Sequence, residues 1–415
     1  MQLRRFLPLA LLALVAACSG SPSEPRNATG DSLRALPREL SDDERRTIAA
    51  SNRFAFDLFR SINKRFVDTN VFISPLSASF ALGMTLNGAN GETFDGMREA
   101  LRIDEADLSR INDAYRDLIA LLLELDPSVD MRIGNAIWYR NTFPFHQTFF
   151  DTVSHYFDAR VAGLDFGSPA TLDRINAWVD TATAGKIKKV LDHIDPATVM
   201  LLMNAIYFKG SWRTQFDRAR TQDASFARER GGPYTVRMMR LEREQVALSS
   251  VDGASAVDLP YGQAAFTMTA ILPPAGTDVD AFIETLDQTK WDAIIAALHH
   301  TNADVYLPKF RIEWADTLNS DLKAMGMTDA FCGGCADFTR LSPTGDGLFI
   351  SFVKQNTFVN TNEEGTEAAA VTTVSIVESL PPSIRFDRPF VLVIRERLSG
   401  TILFMGKVAV PIAES

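Results

Sequence analysis

Histidine and cysteine are scarce, with five of one and three of the other among 415 residues. Neither builds a catalytic or metal-binding constellation. None of His146, His155, His193, His299 and His300 belongs to an H-E-x-x-H helix, and no G-x-S-x-G elbow occurs. Gly185-Lys186 imitates the end of a phosphate-binding loop, but Asp180 stands where that loop needs its first glycine and Ile187 where it needs a hydroxyl. Acidic pairs such as Asp42-Asp43 and Glu363-Glu364 are what any acidic chain contains. No nucleophile, base and orienting group fall at a recognisable spacing, so the sequence reads as a non-enzyme without metal or cofactor. Positive charge is also short: 42 Lys and Arg stand against 52 Asp and Glu, a net charge of −10 that repels a nucleic-acid backbone. The basic run Lys186, Lys188, Lys189 reads as a solvated helix face.

The apolar run near the N-terminus, Phe6 to Val15, falls short of the roughly 20 residues a membrane span needs. It follows Arg4-Arg5 and leads into Ala16-Ala17-Cys18, which is the layout of a secretory signal. Val15-Ala16-Ala17-Cys18 resembles a bacterial lipobox. That resemblance implies residues 1–18 as a signal, Cys18 as a lipid anchor, and an exported protein held at the cell envelope, with the outer membrane favoured and secretion the alternative. A plain signal that happens to contain a cysteine is the competing reading. Residues 19–40 carry Ser, Pro, Gly, Asn and mixed charge and read as a flexible tether, leaving 41–415 as a single domain. Cys332 and Cys335 form Cys-Gly-Gly-Cys in a turn before Asp337-Phe338, either a small disulfide of an oxidising compartment or two free thiols. Zinc would need two further ligands, which the neighbouring sequence lacks.

Ser41 and Glu44 make a capping box that opens an amphipathic helix through Ile48, Phe54, Phe56, Leu58, Phe59 and Ile62. A short strand at 71–74 stops at Pro75, and helices follow through Leu86 and over 93–101. Ile133 to Tyr139 reads as strand, 171–191 as helix, and Met200 to Phe208 as an apolar run closed by Lys209-Gly210. Residues 234–271 alternate like β-structure, 279–299 is helical, 304–312 strand and 316–325 helix. Strands at 349–361, 389–396 and 401–410 finish the chain. Helices first and strands later, sharing apolar faces, argue for one large α+β domain.

Residues 363–386 are unusual. From Thr366 to Val377 there is one charge, Glu367, and no proline. Thr366, Ala368, Ala370, Thr372, Val374 and Ile376 fall on one face, all uncharged, so the segment suits a strand with that face buried. Its first half is glycine and alanine, poor strand formers, and Pro381-Pro382 stops any strand abruptly. By composition alone an ordinary strand followed by a turn serves equally well.

Glu363-Glu364-Gly365-Thr366-Glu367-Ala368-Ala369-Ala370 closely resembles the reactive-loop hinge of the serpins. Other stretches fit in family order over roughly residues 42–411. They are Asn70 to Ser77 with Leu86-Asn87-Gly88-Ala89; Asn204 to Trp212 with Phe216; Leu307-Pro308-Lys309-Phe310; Ala336-Asp337-Phe338; Arg388-Pro389-Phe390; and Phe404 to Val408. The resemblance implies a serpin fold, with large mixed and antiparallel sheets, about nine helices and an exposed reactive-centre loop. It implies a monomer that inhibits an extracellular or periplasmic serine protease as a suicide substrate. The protease cleaves the loop and forms an acyl-enzyme, and the freed loop end inserts as a central strand. Counting back from Pro381, Pro382 and Phe386 puts the bait bond at Glu378–Ser379; counting forward from Gly365 puts it at Ser379–Leu380. The gapless proline side favours Glu378 and Ser379. The family's shutter maps onto Ser74, Ser77 and Asn204, with Gln355 where a histidine is usual. Glu363, Lys309 and Trp212 match the top of the opening sheet. The alternative is a serpin-fold lipoprotein that binds or supports without inhibiting, which the uncharged, alanine-rich hinge disfavours.

Overall fold

The computed structural model describes residues 32–366 and 382–412. Cys18, Glu367, Ala368, Ala369, Ala370, Glu378 and Ser379 lie outside the described residues. Among those described there are nine α-helices and fifteen strands. The chain begins with α1 (Asp42–Asn63), β1 (Val71–Ile73), α2 (Pro75–Leu86), α3 (Gly91–Ala100) and α4 (Leu108–Glu124). Next come β2 (Val129–Arg140), α5 (Gln147–Phe157), β3 (Arg160–Leu164), α6 (Pro169–Ala182) and β4 (Met200–Ser211). A strand-rich middle follows with β5 (Gln222–Phe226), β6 (Tyr234–Val251), β7 (Ala254–Pro260) and β8 (Phe266–Leu272). Then come α7 (Val279–Glu284), α8 (Gln288–Ala296), β9 (His299–Pro308), β10 (Phe310–Thr317) and α9 (Asn319–Ala324). The last strands are β11 (Lys354–Thr361), β12 (Gly365–Thr366), β13 (Ser383–Arg385), β14 (Phe390–Glu396) and β15 (Ile402–Val408).

Local chemistry accounts for the first elements. Both halves of the Ser41–Glu44 capping box form, and Asp42, Asp43 and Glu44 place negative charge at the positive end of the α1 dipole. Ala55, Leu58, Phe59 and Ile62, spaced along one stripe, are buried. Ser74 caps α2, with Pro75 in the first turn where its missing N–H has no cost. Every residue of β14 and β15 is buried, and these strands sit side by side inside a nine-stranded sheet ordered β1-β15-β14-β8-β7-β6-β9-β13, with β5 on β6. The sheets are mixed, since β13 pairs with β9 and β3 with β2 in parallel.

Several boundaries differ from the sequence reading. The helix expected over 171–191 ends at Ala182, because Ala184 and Gly185 take left-handed φ of 50° and 79° and the Gly185 N–H turns back to Asp180 O at 2.8 Å. Lys186, Lys188 and Lys189 therefore follow the helix rather than line its face. The helix expected over 279–299 is two, with Asp287 capping the second. The strand expected over 304–312 is also two: β9 and β10 join different sheets, with Lys309 at the break. Residues 32–40 do not stand off as a tether. Leu33, Leu36 and Leu40 pack on the core, the Leu33 N–H donates to Gln263 O at 2.7 Å, and Arg38 pairs with Glu44. Three leucines in eight residues give this piece enough apolar surface to dock.

Two smaller sheets position the site. One runs β12-β4-β2-β3 and the other is the antiparallel pair β10-β11. Among the described residues no pairing joins β4 to β11. Gly365 and Thr366 pair with Ser211 and Gly210 on β4, while a tight turn connects them to the end of β11. The start of β12 therefore lies between β4 and β11.

Candidate functional site

β11 alternates: Gln355, Thr357, Val359 and Thr361 are buried while the residues between them face outward. Its pairing with β10 runs unbroken from Thr317↔Lys354 to Phe310↔Thr361. The chain then reverses over Glu363-Glu364, with the Asn362 N–H donating to Gly365 O at 3.0 Å. Gly365 has φ +149°, and a Cβ on it would fall 2.3 Å from Gly210 O, so only glycine lets the returning chain lie against β4.

The turn is held from several sides. Glu363 is buried, and its carboxylate meets Lys309 Nζ at 2.9 Å and accepts from Thr221 Oγ1 at 2.8 Å. Its carbonyl accepts from the Phe216 N–H, and that of Glu364 from the Trp212 N–H, each at 2.8 Å. The Glu364 carboxylate pairs with Arg218. Trp212 donates its indole N–H to Asn362 O at 2.9 Å and stacks on Tyr261 at 4.5 Å. The break at Lys309 leaves that ammonium free of either sheet, where it can reach Glu363.

Lower on β11, Gln355 bonds Ser74 twice: its Oε1 accepts from the Ser74 N–H at 3.1 Å and its Nε2 donates to Ser74 O at 2.7 Å. Both capacities of the amide are used, as the sequence reading of glutamine for histidine requires. The Ser74 hydroxyl donates to Leu403 O at 2.9 Å and accepts from the Ser77 N–H. Thr357 donates to Phe72 O. β11 is thus fastened to the core through β1 and the start of α2. Asn204 is not part of this cluster. It donates to Asn135 Oδ1 at 2.7 Å, and Asn135 donates to Phe157 O, while Asn204 Oδ1 is buried without a partner among the described residues. The structure therefore brings Ser74, Ser77 and Gln355 together and leaves Asn204 on the far strand.

Cys332 and Cys335 are joined in a disulfide. Sequence reasoning missed Tyr261, Thr221, Arg218, Asn135 and Thr357. Their partners are distant in sequence, and no local spacing marks them.

Among the described residues this arrangement offers no nucleophile–base pair. It offers two strand edges, β4 and β11, and a chain that turns back between them with its small, uncharged residues leading.

The family model "Serpin (serine protease inhibitor)" matches residues 49–411. A leukocyte elastase inhibitor from Sus scrofa is 35% identical over 382 residues, covering 88% of this chain and 99% of the relative. A serpin-like protein of Thermococcus kodakarensis is 31% identical over 421 residues, covering 97% of each. Among solved structures, the thermophilic serpin tengpin in its native state superposes with a TM-score of 0.81 at 30% identity, covering 92% of this chain and 98% of that one. Human thyroxine-binding globulin superposes equally well, at 28% identity over 90% of this chain and all of its own.

Proposed function

The chain belongs to the serpin family of serine protease inhibitors, and from that premise we propose that it traps a serine protease by loop insertion. The bait lies at Glu378–Ser379. Attack by the protease's own serine forms an acyl-enzyme and frees the loop end. The freed strand enters between β4 and β11, gaining a ladder of backbone hydrogen bonds and burying the uncharged face that begins at Thr366. Glu363, Trp212 and Lys309 hold the turn from which the strand swings, and Ser74, Ser77 and Gln355 fasten one of the two strands that receive it.

One observation carries this reading: the chain already reverses at Glu363-Glu364 and re-enters the sheet beside β4, with Thr366 buried. An ordinary strand followed by a turn to solvent would not place a threonine there. The partner class is an extracellular or periplasmic serine protease, met by a monomer. Cys18 supplies a lipid anchor at the cell envelope. Incubation of the soluble domain with a panel of serine proteases should give, with at least one of them, an SDS-stable band at the summed mass less the released fragment from Ser379 onward. Cleavage of the loop without any such band, across trypsin-, chymotrypsin-, elastase- and glutamate-specific enzymes, would defeat the proposal.

A further inference from the structure

Tyr261 lies outside every segment that marks the hinge. It opens the turn after β7, stacks flat on Trp212 (13° between planes) and sets an edge against Phe208 at 5.1 Å. Its ring lies under the backbone of Gly210, where a Cβ would come within 2.9 Å of it. Gly210 is also the residue with which Thr366 pairs. Among the described residues the Tyr261 hydroxyl meets Thr366 Oγ1, at 3.0 Å, and the two residues are 0% and 6% exposed. Phenol, glycine and threonine thus form one contact where the chain first enters between β4 and β11.

We infer that Tyr261 is the positioning residue that seats the entering strand: its hydroxyl pairs with that of Thr366 and so selects the register in which the strand begins. A buried hydroxyl left without a partner is costly, so the pair favours the seated hinge over an unseated one. A slip of one residue would bring up either Gly365, which has no hydroxyl, or Glu367, whose charge would oppose burial. Burial also raises the pKa of Tyr261, so the phenol keeps its proton. This role rests on the loop-insertion reading, yet the contact can be tested without a protease.

A double-mutant cycle of Tyr261→Phe and Thr366→Val provides the test. Each single change strands one buried hydroxyl and should shift the unfolding equilibrium of the intact protein roughly tenfold. The double variant has neither hydroxyl and should lie closer to the wild type than the two single effects combined. Thr366→Ser keeps a hydroxyl and should recover most of the shift seen in Thr366→Val. With an inhibited protease in hand, Tyr261→Phe should move the outcome from covalent complex toward cleaved, free inhibitor. Additive single effects on unfolding, or an unchanged partition in Tyr261→Phe, would overturn the inference. Absence of any complex with the wild type would instead overturn loop insertion, and the unfolding cycle would still decide the contact.

Discussion

Lys309 and Glu363 meet at 2.9 Å across the top of the β10–β11 pair, one residue before β10 begins and two after β11 ends. Burial alone would raise the Glu363 pKa. Hydrogen bonds from Lys309, from its own backbone N–H and from Thr221, with the Lys309 charge, outweigh it and hold the carboxylate below its ordinary 4.5. A carboxylate depressed in the folded state adds stability above its unfolded pKa and loses it as pH falls through the folded value. Glu363→Gln should therefore lower stability near neutral pH by about 1.5–3 kcal/mol, the range for hydrogen bonds to charged groups. Urea unfolding of variant and wild type should converge as pH drops below 4.5. A constant difference down to pH 3 would mean that the charge of Glu363 is not what holds the turn.

Thr366→Arg puts a cation where Thr366 is buried against Tyr261 and Gly210. Burying that charge unpaired costs several kcal/mol. The bait, about a dozen residues further along the chain, stays as it was. The variant should be cleaved as readily as the wild type but form little covalent complex, with the stoichiometry of inhibition rising steeply. Equal complex yields on SDS gels would refute insertion from this end.

Cleavage of the loop between Val374 and Leu380 frees the strand to enter fully. The thermal midpoint should then rise sharply, because a strand's worth of backbone hydrogen bonds is added. Replacing Glu378 should alter which proteases cut while leaving that rise intact. A cleaved protein with an unchanged midpoint would favour the non-inhibitory reading.

Cys18→Ala removes the proposed lipid attachment. The variant should move from the membrane to the soluble fraction on cell fractionation. A wild-type protein that is already soluble, with its mature N-terminus beyond residue 18, would rule out the anchor.

What the sequence made legible was local or repeated. The Ser41–Glu44 box needs only four residues, and both its bonds form. The alternation of β11 and the apolar runs of β14 and β15 show without partners. The end of α6 was hidden because Ala184, not only Gly185, adopts a left-handed conformation, which alanine rarely does. The break at Lys309 was passed over although Pro308 stands beside it, because Leu307 and Phe310 on either side are apolar and suit a strand. In the site, the Glu363–Lys309 pair and Trp212 came through resemblance. Tyr261 did not: between Pro260 and Gly262 it reads as a turn residue, and its partner lies 105 positions away. Asn204 also came through resemblance, and its amide donates to Asn135 on the neighbouring strand.

The docking of Leu33 has a consequence for where such an inhibitor can act. Leu33 is bonded to Gln263, two residues from Tyr261, so the N-terminal segment is pinned beside the hinge end of the molecule. If Cys18 carries lipid, only residues 19–31 remain to span from the bilayer to the docked segment. Fully extended, that leash reaches about 45 Å, roughly the diameter of one globular domain. The bait would sweep a thin layer above the membrane rather than the surrounding fluid. Proteases working at that surface would meet it at high effective concentration, and those diffusing farther out would not meet it at all.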